Sequence, residues 1–246
     1  MKNIIVLSAI IIISCSASLL AQERSLEDFK AVSVDYGIQA ELLKGTSNKV
    51  VLTVSGTKED KVTSEIVDGQ LLLTFKNTKK LEGVSVSAKI YAASAISGIN
   101  VSNKATLSVK DVSTANRLKL VVTTGGKLDM TAKTQSAVVA IGRSAKAQLA
   151  IEATDLKATV SGKGRLDITG KAESLKVNAN SSGVYKGFGL QCKSLTAQAH
   201  GSGRAEVSVS DLLVANVVSE GKVIYKGDPK LKVNATSSGI VEKAED

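Results

Sequence analysis

From about residue 99 to the C-terminus, apolar and polar positions alternate with a period of two, in short runs separated by turns of small residues. Ala158, Val160, Leu166 and Ile168 bracket one turn, Val177, Ala179 and Val184 another, and Asn216, Val218, Val223 and Tyr225 a third. Successive side chains of a strand point to opposite faces, so these runs predict strands with one face buried. A second apolar set recurs midway between turns, as in Leu118 and Leu120, Leu175 and Val177, Leu195 and Ala197, and Leu231 and Val233. Each repeat therefore carries at least two strand segments. No helical periodicity occurs over this stretch.

The turns read Ser102-Asn103-Lys104, Gly125-Gly126-Lys127, Arg143-Ser144-Ala145-Lys146, Gly162-Lys163-Gly164, Ser181-Ser182-Gly183, Gly201-Ser202-Gly203, Ser219-Glu220-Gly221 and Ser237-Ser238-Gly239. Marks placed before each following strand fall at 104, 126, 146, 164, 183, 203, 221 and 239, with successive differences of 22, 20, 18, 19, 20, 18 and 18. One such repeat cannot bury its own apolar face, but stacked repeats bury it against one another. The expected fold is all-β: a right-handed parallel β-helix with coils of about 20 residues. A left-handed β-helix requires a strict six-residue rhythm, which differences of 19, 20 and 22 break. The structural turn glycines are Gly126, Gly162, Gly164, Gly183, Gly201, Gly203, Gly221 and Gly239, at corners where φ > 0 or close approach is expected.

Residues 22–98 differ. Val32 and Val34, Ile38 to Leu42, Val50 to Val54, Val62 to Ile66, Leu71 to Phe75 and Val84 to Ile90 read as short strands, and Asp68-Gly69 is a hairpin signal. This section is expected to be an antiparallel, β-rich N-terminal cap on the solenoid of residues 99–246.

Composition sharpens the core. Apolar residues make up 43% of the chain, but aromatics only 3%. Val, Leu, Ile and Ala must therefore fill it. Residues 1–21 read as a signal peptide: Lys2, a short apolar run from Ile4 to Ile13, and Leu19-Leu20-Ala21 before the cut. The run is too short to span a bilayer, which takes about 20 apolar residues. Cleavage removes one Lys and no acid, so the formal charge of +9 becomes 9 − 1 = +8. Ile12-Ile13-Ser14-Cys15 loosely resembles a lipobox, which leaves lipid attachment at Cys15 as the minority alternative to release. Either route exports the chain to the periplasm, the outer surface or the medium. Cys192 is then a single thiol without an internal disulfide partner.

Three segments carry a family resemblance: Phe29-Lys30-Ala31-Val32-Ser33-Val34 with Ile38-Gln39-Ala40-Glu41-Leu42, Asp68-Gly69-Gln70-Leu71-Leu72-Leu73, and Tyr225-Lys226-Gly227-Asp228-Pro229-Lys230-Leu231 leading into Ser237-Ser238-Gly239. In their order along nearly the whole mature chain, the sequence resembles the auto-transporter adhesin family built on the head GIN domain. The resemblance implies an exported, pectin-lyase-like solenoid with an adhesive role and no established activity. Gly-Ser-Gly turns typify that family; here only Gly201-Ser202-Gly203 keeps the triplet.

Residues that carry chemistry are sparse. His200 is the one histidine, and the acids nearest in sequence are Glu206 and Asp211. Polysaccharide cleavage needs an acid and a base flanking the scissile bond, and no paired-acid motif supplies them. Gly126-Lys127-Leu128-Asp129 and Gly164-Arg165-Leu166-Asp167 stand two repeats apart, which predicts a ladder of charges on one face. No Cys/His spacing suits zinc, so no metal or cofactor is expected. The expected function is a non-catalytic adhesive or ligand-binding solenoid of the bacterial cell envelope. A polysaccharide lyase or hydrolase and a purely structural envelope protein are the alternatives. The positive charge favours an acidic glycan or another cell-surface component as partner. With seven aromatics for base stacking, specific nucleic-acid binding is not expected.

Overall fold

The computed structural model describes residues 22–79, 81–111 and 114–245. Residues 1–21, expected above to be a signal peptide and including Cys15, and Lys80 lie outside the described residues. Strands dominate, with no α-helix and one short 3-10 turn at Glu59–Lys61 among the described residues. In chain order the strands of the first half are β1 (Gln22–Ser25), β2 (Ala31–Val34), β3 (Gln39–Lys44), β4 (Lys49–Ser55), β5 (Val62–Val67), β6 (Gln70–Phe75), β7 (Ser85–Ala92), β8 (Ile96–Val101) and β9 (Thr106–Lys110). Those of the second half are β10 (Thr114–Val122), β11 (Lys127–Ile141), β12 (Lys146–Val160), β13 (Arg165–Asn180), β14 (Val184–His200), β15 (Arg204–Val218), β16 (Lys222–Lys226), β17 (Lys230–Thr236) and β18 (Ile240–Lys243).

From β8 onward the strands stack in parallel, coil on coil. Lys127 pairs Lys146, Lys146 pairs Arg165, and Arg165 pairs Val184, so these coils are all of one length. Two ladders result. One holds β8, β10, the second halves of β11 to β15, and β17; the other holds β9, the first halves of β11 to β15, β16 and β18. Inward side chains of both ladders, such as Leu120, Val139, Ala158 and Val177 against Leu128, Ala147 and Leu166, are buried in one continuous core. Hence the outer faces of the two ladders lie on opposite sides of that core.

The first three coils are not in chain order. β2 lies between β6 and β8, and β3 between β7 and β9, all parallel. Ala31 thus pairs Gly98, and Gln39 pairs Thr106, the same long separation in both ladders. The 98/99 boundary expected from the sequence falls within β8. Beyond β6 and β7 the pairing turns antiparallel: β5 runs against β6, β4 against β7, and β1 against β4. These strands occupy the hydrogen-bonding edges that the end of the stack would otherwise leave open. Asp68 and Gly69, with φ of 51° and 71°, form the tight β5–β6 turn.

The ladders meet at one edge in tight turns. Asn103 and Lys104, Arg143 and Ser144, and Ser181 and Ser182 all have φ between 47° and 65°, and a backbone bond closes each turn, as from Gly183 N–H to Asn180 O at 2.9 Å. Two left-handed residues inside an i to i+3 bond make a type I′ turn. The turns bond to each other along the stack, as from Ser144 N–H to Gly162 O at 2.9 Å.

From the β8–β9 turn onward the residue that closes each turn is small, Ala105, Gly126, Ala145, Gly164, Gly183, Gly203, Gly221 and Gly239, whereas Ile38 closes the β2–β3 turn. The true repeat marks are therefore 105 and 145, not 104 and 146, and the differences become 21, 19, 19, 19, 20, 18 and 18. The lysines that suggest the other marks sit one place to either side of the buried small residue. A Cβ at Gly203 would lie 2.1 Å from the carbonyl oxygen of Ala179 in the coil below. Main chain cannot yield there as a side chain can. Gly203→Ala is expected to destabilise by about 1–3 kcal/mol, the cost of overpacking, and thermal unfolding followed by circular dichroism should show a melting point several degrees lower. Ala145→Gly, at a site that already holds a Cβ, should lower it far less.

Candidate functional site

Opposite the turn edge, β11 to β15 do not end but bend, each running unbroken for 15 to 17 residues. A bend brings the main chains of successive coils close together. At Gly170, φ is 116° and a Cβ would lie 2.0 Å from the carbonyl oxygen of Ile151. No other residue fits that corner.

Just past the bend, register aligns Ala153, Ala172, Cys192 and Val209 in one column. These small side chains floor an open groove of about 1000 Å³ that runs across the coils to Gly227 and Asp228. One wall is the column Lys133, Glu152, Lys171 and Gln191; the other includes Thr154, Glu173, Lys193 and Ser210. Opposite charges pair along the walls, Lys133 Nζ with Glu152 Oε2 at 3.2 Å and Lys193 Nζ with Glu173 Oε2 at 2.6 Å. The hydrogen bond to Glu173 raises the Lys193 pKa. Lys171 has no ion pair among the described residues. The groove is thus nearly charge-balanced, elongated and shallow, suited to an extended ligand lying across the strands.

Cys192 is buried in the groove floor. Its thiol donates to the Ser208 carbonyl at 3.3 Å, and burial, reinforced by the charge of Asp211, pushes its pKa up to about 12. It is a protonated packing residue, not a nucleophile. Beneath it, Tyr185 is wholly buried, its hydroxyl has no hydrogen-bond partner, and burial raises its pKa. The ring occupies space left by Gly187, where a Cβ would lie 2.3 Å from Cε1. Beside it the β13–β14 and β14–β15 registers shift at Gly187-Phe188-Gly189, and the Lys226 ammonium sits 5.3 Å over the Phe188 ring.

The chemistry-bearing residues singled out in the sequence do not converge. His200 is exposed on the outer face of the first ladder, in register with Asn180 and Val218. Glu206 is on the other ladder, across the core, where Oε1 accepts from Arg204 Nε at 2.9 Å. Asp211 accepts from the Ser210 hydroxyl at 2.6 Å. Lys127 and Arg165 do share a column two coils apart, and Asp167 is held by Arg165 through two bonds of 2.6 and 2.7 Å. Of the turn glycines, Gly162 and Gly201 take the left-handed conformation within turns, while Gly126, Gly164, Gly183, Gly203, Gly221 and Gly239 stand in the small-residue column. No group of three or more His, Cys, Asp or Glu suited to a metal ion occurs among the described residues.

The groove escaped sequence reasoning. Its signal is a small residue between polar or charged ones, in Glu152-Ala153-Thr154, Lys171-Ala172-Glu173 and Gln191-Cys192-Lys193, recurring at the coil spacing.

Stacked parallel coils of near-constant length, closed by antiparallel strands at one end and grooved along the bend, define a β-solenoid. Residues 28–229 match the family described as "Putative auto-transporter adhesin, head GIN domain", and the chain belongs to it. Its fold is shared with a solved structure from Parabacteroides merdae described as a "putative adhesin" (TM-score 0.86, 18% identity, 94% of this chain and 98% of that one). It is also shared with one from Parabacteroides distasonis (TM-score 0.84, 23% identity, 92% and 96%). A protein from the latter organism described as lipid binding is similar as well (TM-score 0.76, 16% identity, 92% and 96%). No curated protein matches the sequence. No described helix is long and apolar enough to cross a membrane.

Two side chains give direct checks. Cys192 should resist a thiol reagent at pH 8 in the folded protein and react fully once denaturant is added. The raised pKa values of Cys192 and Tyr185 stabilise the fold below the ordinary thiol and phenol pKa values, about 8.5 and 10. That stabilisation is lost as pH rises through them, because the unfolded chain ionises first. Tyr185→Phe removes a hydroxyl that is buried without a partner, so it should raise stability by about 1 kcal/mol and flatten the alkaline fall in melting temperature.

Proposed function

We propose that this chain is an exported, non-catalytic solenoid that binds a ligand at the bacterial cell envelope, in an adhesive role. The observation that carries this reading is the groove along the bend. It offers an extended seat, and its carboxylates Glu152 and Glu173 are each engaged by a lysine. Family membership and the adhesin structures support the same role. Export proceeds by cleavage after Ala21 and release, with lipid attachment at Cys15 as the other route. Acidic glycans and other cell-surface components are the partners that the excess of Lys and Arg favours.

The test is a panel of neutral, uronic and sulfated polysaccharides, with phospholipid vesicles included because one structural relative is described as lipid binding. Wild-type protein should capture at least one member. Thr154→Trp, which narrows the groove from an exposed position, should reduce capture of any ligand seated there. No unsaturated or reducing sugar ends should appear on incubation with polyuronates. Cleavage abolished by His200→Ala or Asp167→Asn would replace this reading with that of a lyase or hydrolase. Capture of nothing would leave a purely structural envelope protein.

A further inference from the structure

The two outer faces of this protein differ in the acids that stand beside their cations. On the second ladder Arg165 pairs with Asp167, Arg204 with Glu206, Lys222 with Glu242 and Lys110 with Glu41, and the unpaired Lys127, Lys146 and Lys186 stand on columns beside or between Asp129, Asp167 and Glu206. The first ladder has almost no such acids. Arg117, Lys119, Lys157, Lys176, Lys230 and Lys232 are all exposed there, and none has an ion pair among the described residues. Asp155 is the one acid on the same columns between β10 and β17.

Register sets these cations in order. Lys119, Val138, Lys157, Lys176, Thr196, Val214 and Lys232 form a single column across seven strands. Neighbouring strands lie about 4.7–4.9 Å apart. The lysines therefore recur along the solenoid axis at one, two and three strand spacings. The next outward column runs Thr159, Asn178, Gln198, Asn216 and Asn234. It is a row of hydroxyl and amide groups, all donors as well as acceptors. In this row Asn178 Oδ1 is buried without a hydrogen-bond partner. Among the described residues, β10 to β17 present no Phe, Tyr or Trp on this face, and His200 is the one ring on which a base could stack.

We infer that the outer face of the first ladder binds an acidic polysaccharide, uronic or sulfated, laid along the solenoid axis with its anions on the Lys119–Lys157–Lys176 column and its hydroxyls on the Asn178–Gln198–Asn216 row. This rests on the binding role proposed above and assigns that role a second surface, distinct from the groove. A linear polyanion matches a linear column of unpaired cations. A nucleic acid would find the single His200 ring as a platform for its bases, and a lipid surface has no use for a row of amides.

The experiment measures binding of heparin and polygalacturonate to the secreted full-length protein across a salt series. It compares Lys119→Gln/Lys157→Gln/Lys176→Gln with Lys127→Gln/Lys146→Gln/Lys186→Gln, which removes equal charge from the opposite face. The first variant should bind at least about tenfold more weakly, with a shallower salt dependence, because fewer counterions are released per polymer bound. The second should stay within about twofold of wild type. Melting curves of both should overlay the wild type, since every substituted lysine points outward. Equal weakening in both variants, or none in the first, overturns the inference. So does tighter binding to duplex DNA or to anionic phospholipid vesicles than to either polysaccharide. Binding that survives the first variant but is lost in Thr154→Trp overturns it too, and leaves the binding role standing on the groove. Failure of every panel member to bind removes both.

Discussion

From β8–β9 onward, each coil passes its main chain against the coil below at the residue that closes the turn. Only Gly or Ala stands there, from Ala105 to Gly239. That contact sets the vertical fit of successive coils, and with it the register that brings Leu on Ala and Val on Val through the core. A larger side chain at Gly183, where a Cβ would lie 2.2 Å from the Val160 carbonyl oxygen, would push two coils apart and lengthen every ladder hydrogen bond beside it. The near absence of aromatics follows from the same constraint, because layers at strand spacing leave room for branched aliphatics. Tyr185, the largest side chain buried among the stacked coils, needs both Gly187 and a register shift to fit.

Register that aligns the core also aligns the surface. Side chains one coil apart are neighbours, so a residue type repeated once per coil becomes a continuous stripe. Small residues repeated at the bend become the floor of a groove, alternating Lys and Glu its walls, and unpaired lysines a basic column. None of these features needs a loop or a lid. The solenoid presents them on a rigid lattice whose spacing resembles that of a linear polymer more than that of a small molecule.

The repeating part was legible because its period is local. Alternation around Gly162-Lys163-Gly164 and Gly201-Ser202-Gly203 identified strands, turns and coil length, with errors of one position where Lys104 and Lys146 drew attention from Ala105 and Ala145. The order of the first coils was not legible. Nothing in Ala31–Val34 says that its neighbours are Gln70–Leu73 on one side and Gly98–Val101 on the other, since pairing at two long and unequal separations leaves no periodic trace. The groove was hidden for another reason. Its floor is made of ordinary apolar residues, Ala153, Ala172, Cys192 and Val209, and only their smallness relative to the rest of the core creates the space.

The placement of β2–β3 inside the stack governs how the molecule is assembled and how it comes apart. From β10 onward, each coil can add to its predecessor after about 20 residues, a cheap loop closure. The β2–β3 coil, by contrast, must wait for partners that arrive with β6–β7 and β8–β9, so the N-terminal end is the part of high contact order. Once formed, it is held on both sides. A pull on the N-terminus cannot peel the stack coil by coil, because the first coil of the chain is the second of the pile and two ladders must shear together to free it. At the other end, β17 and β18 unzip one strand at a time. Force applied along the chain therefore meets a lock at one end and a zipper at the other.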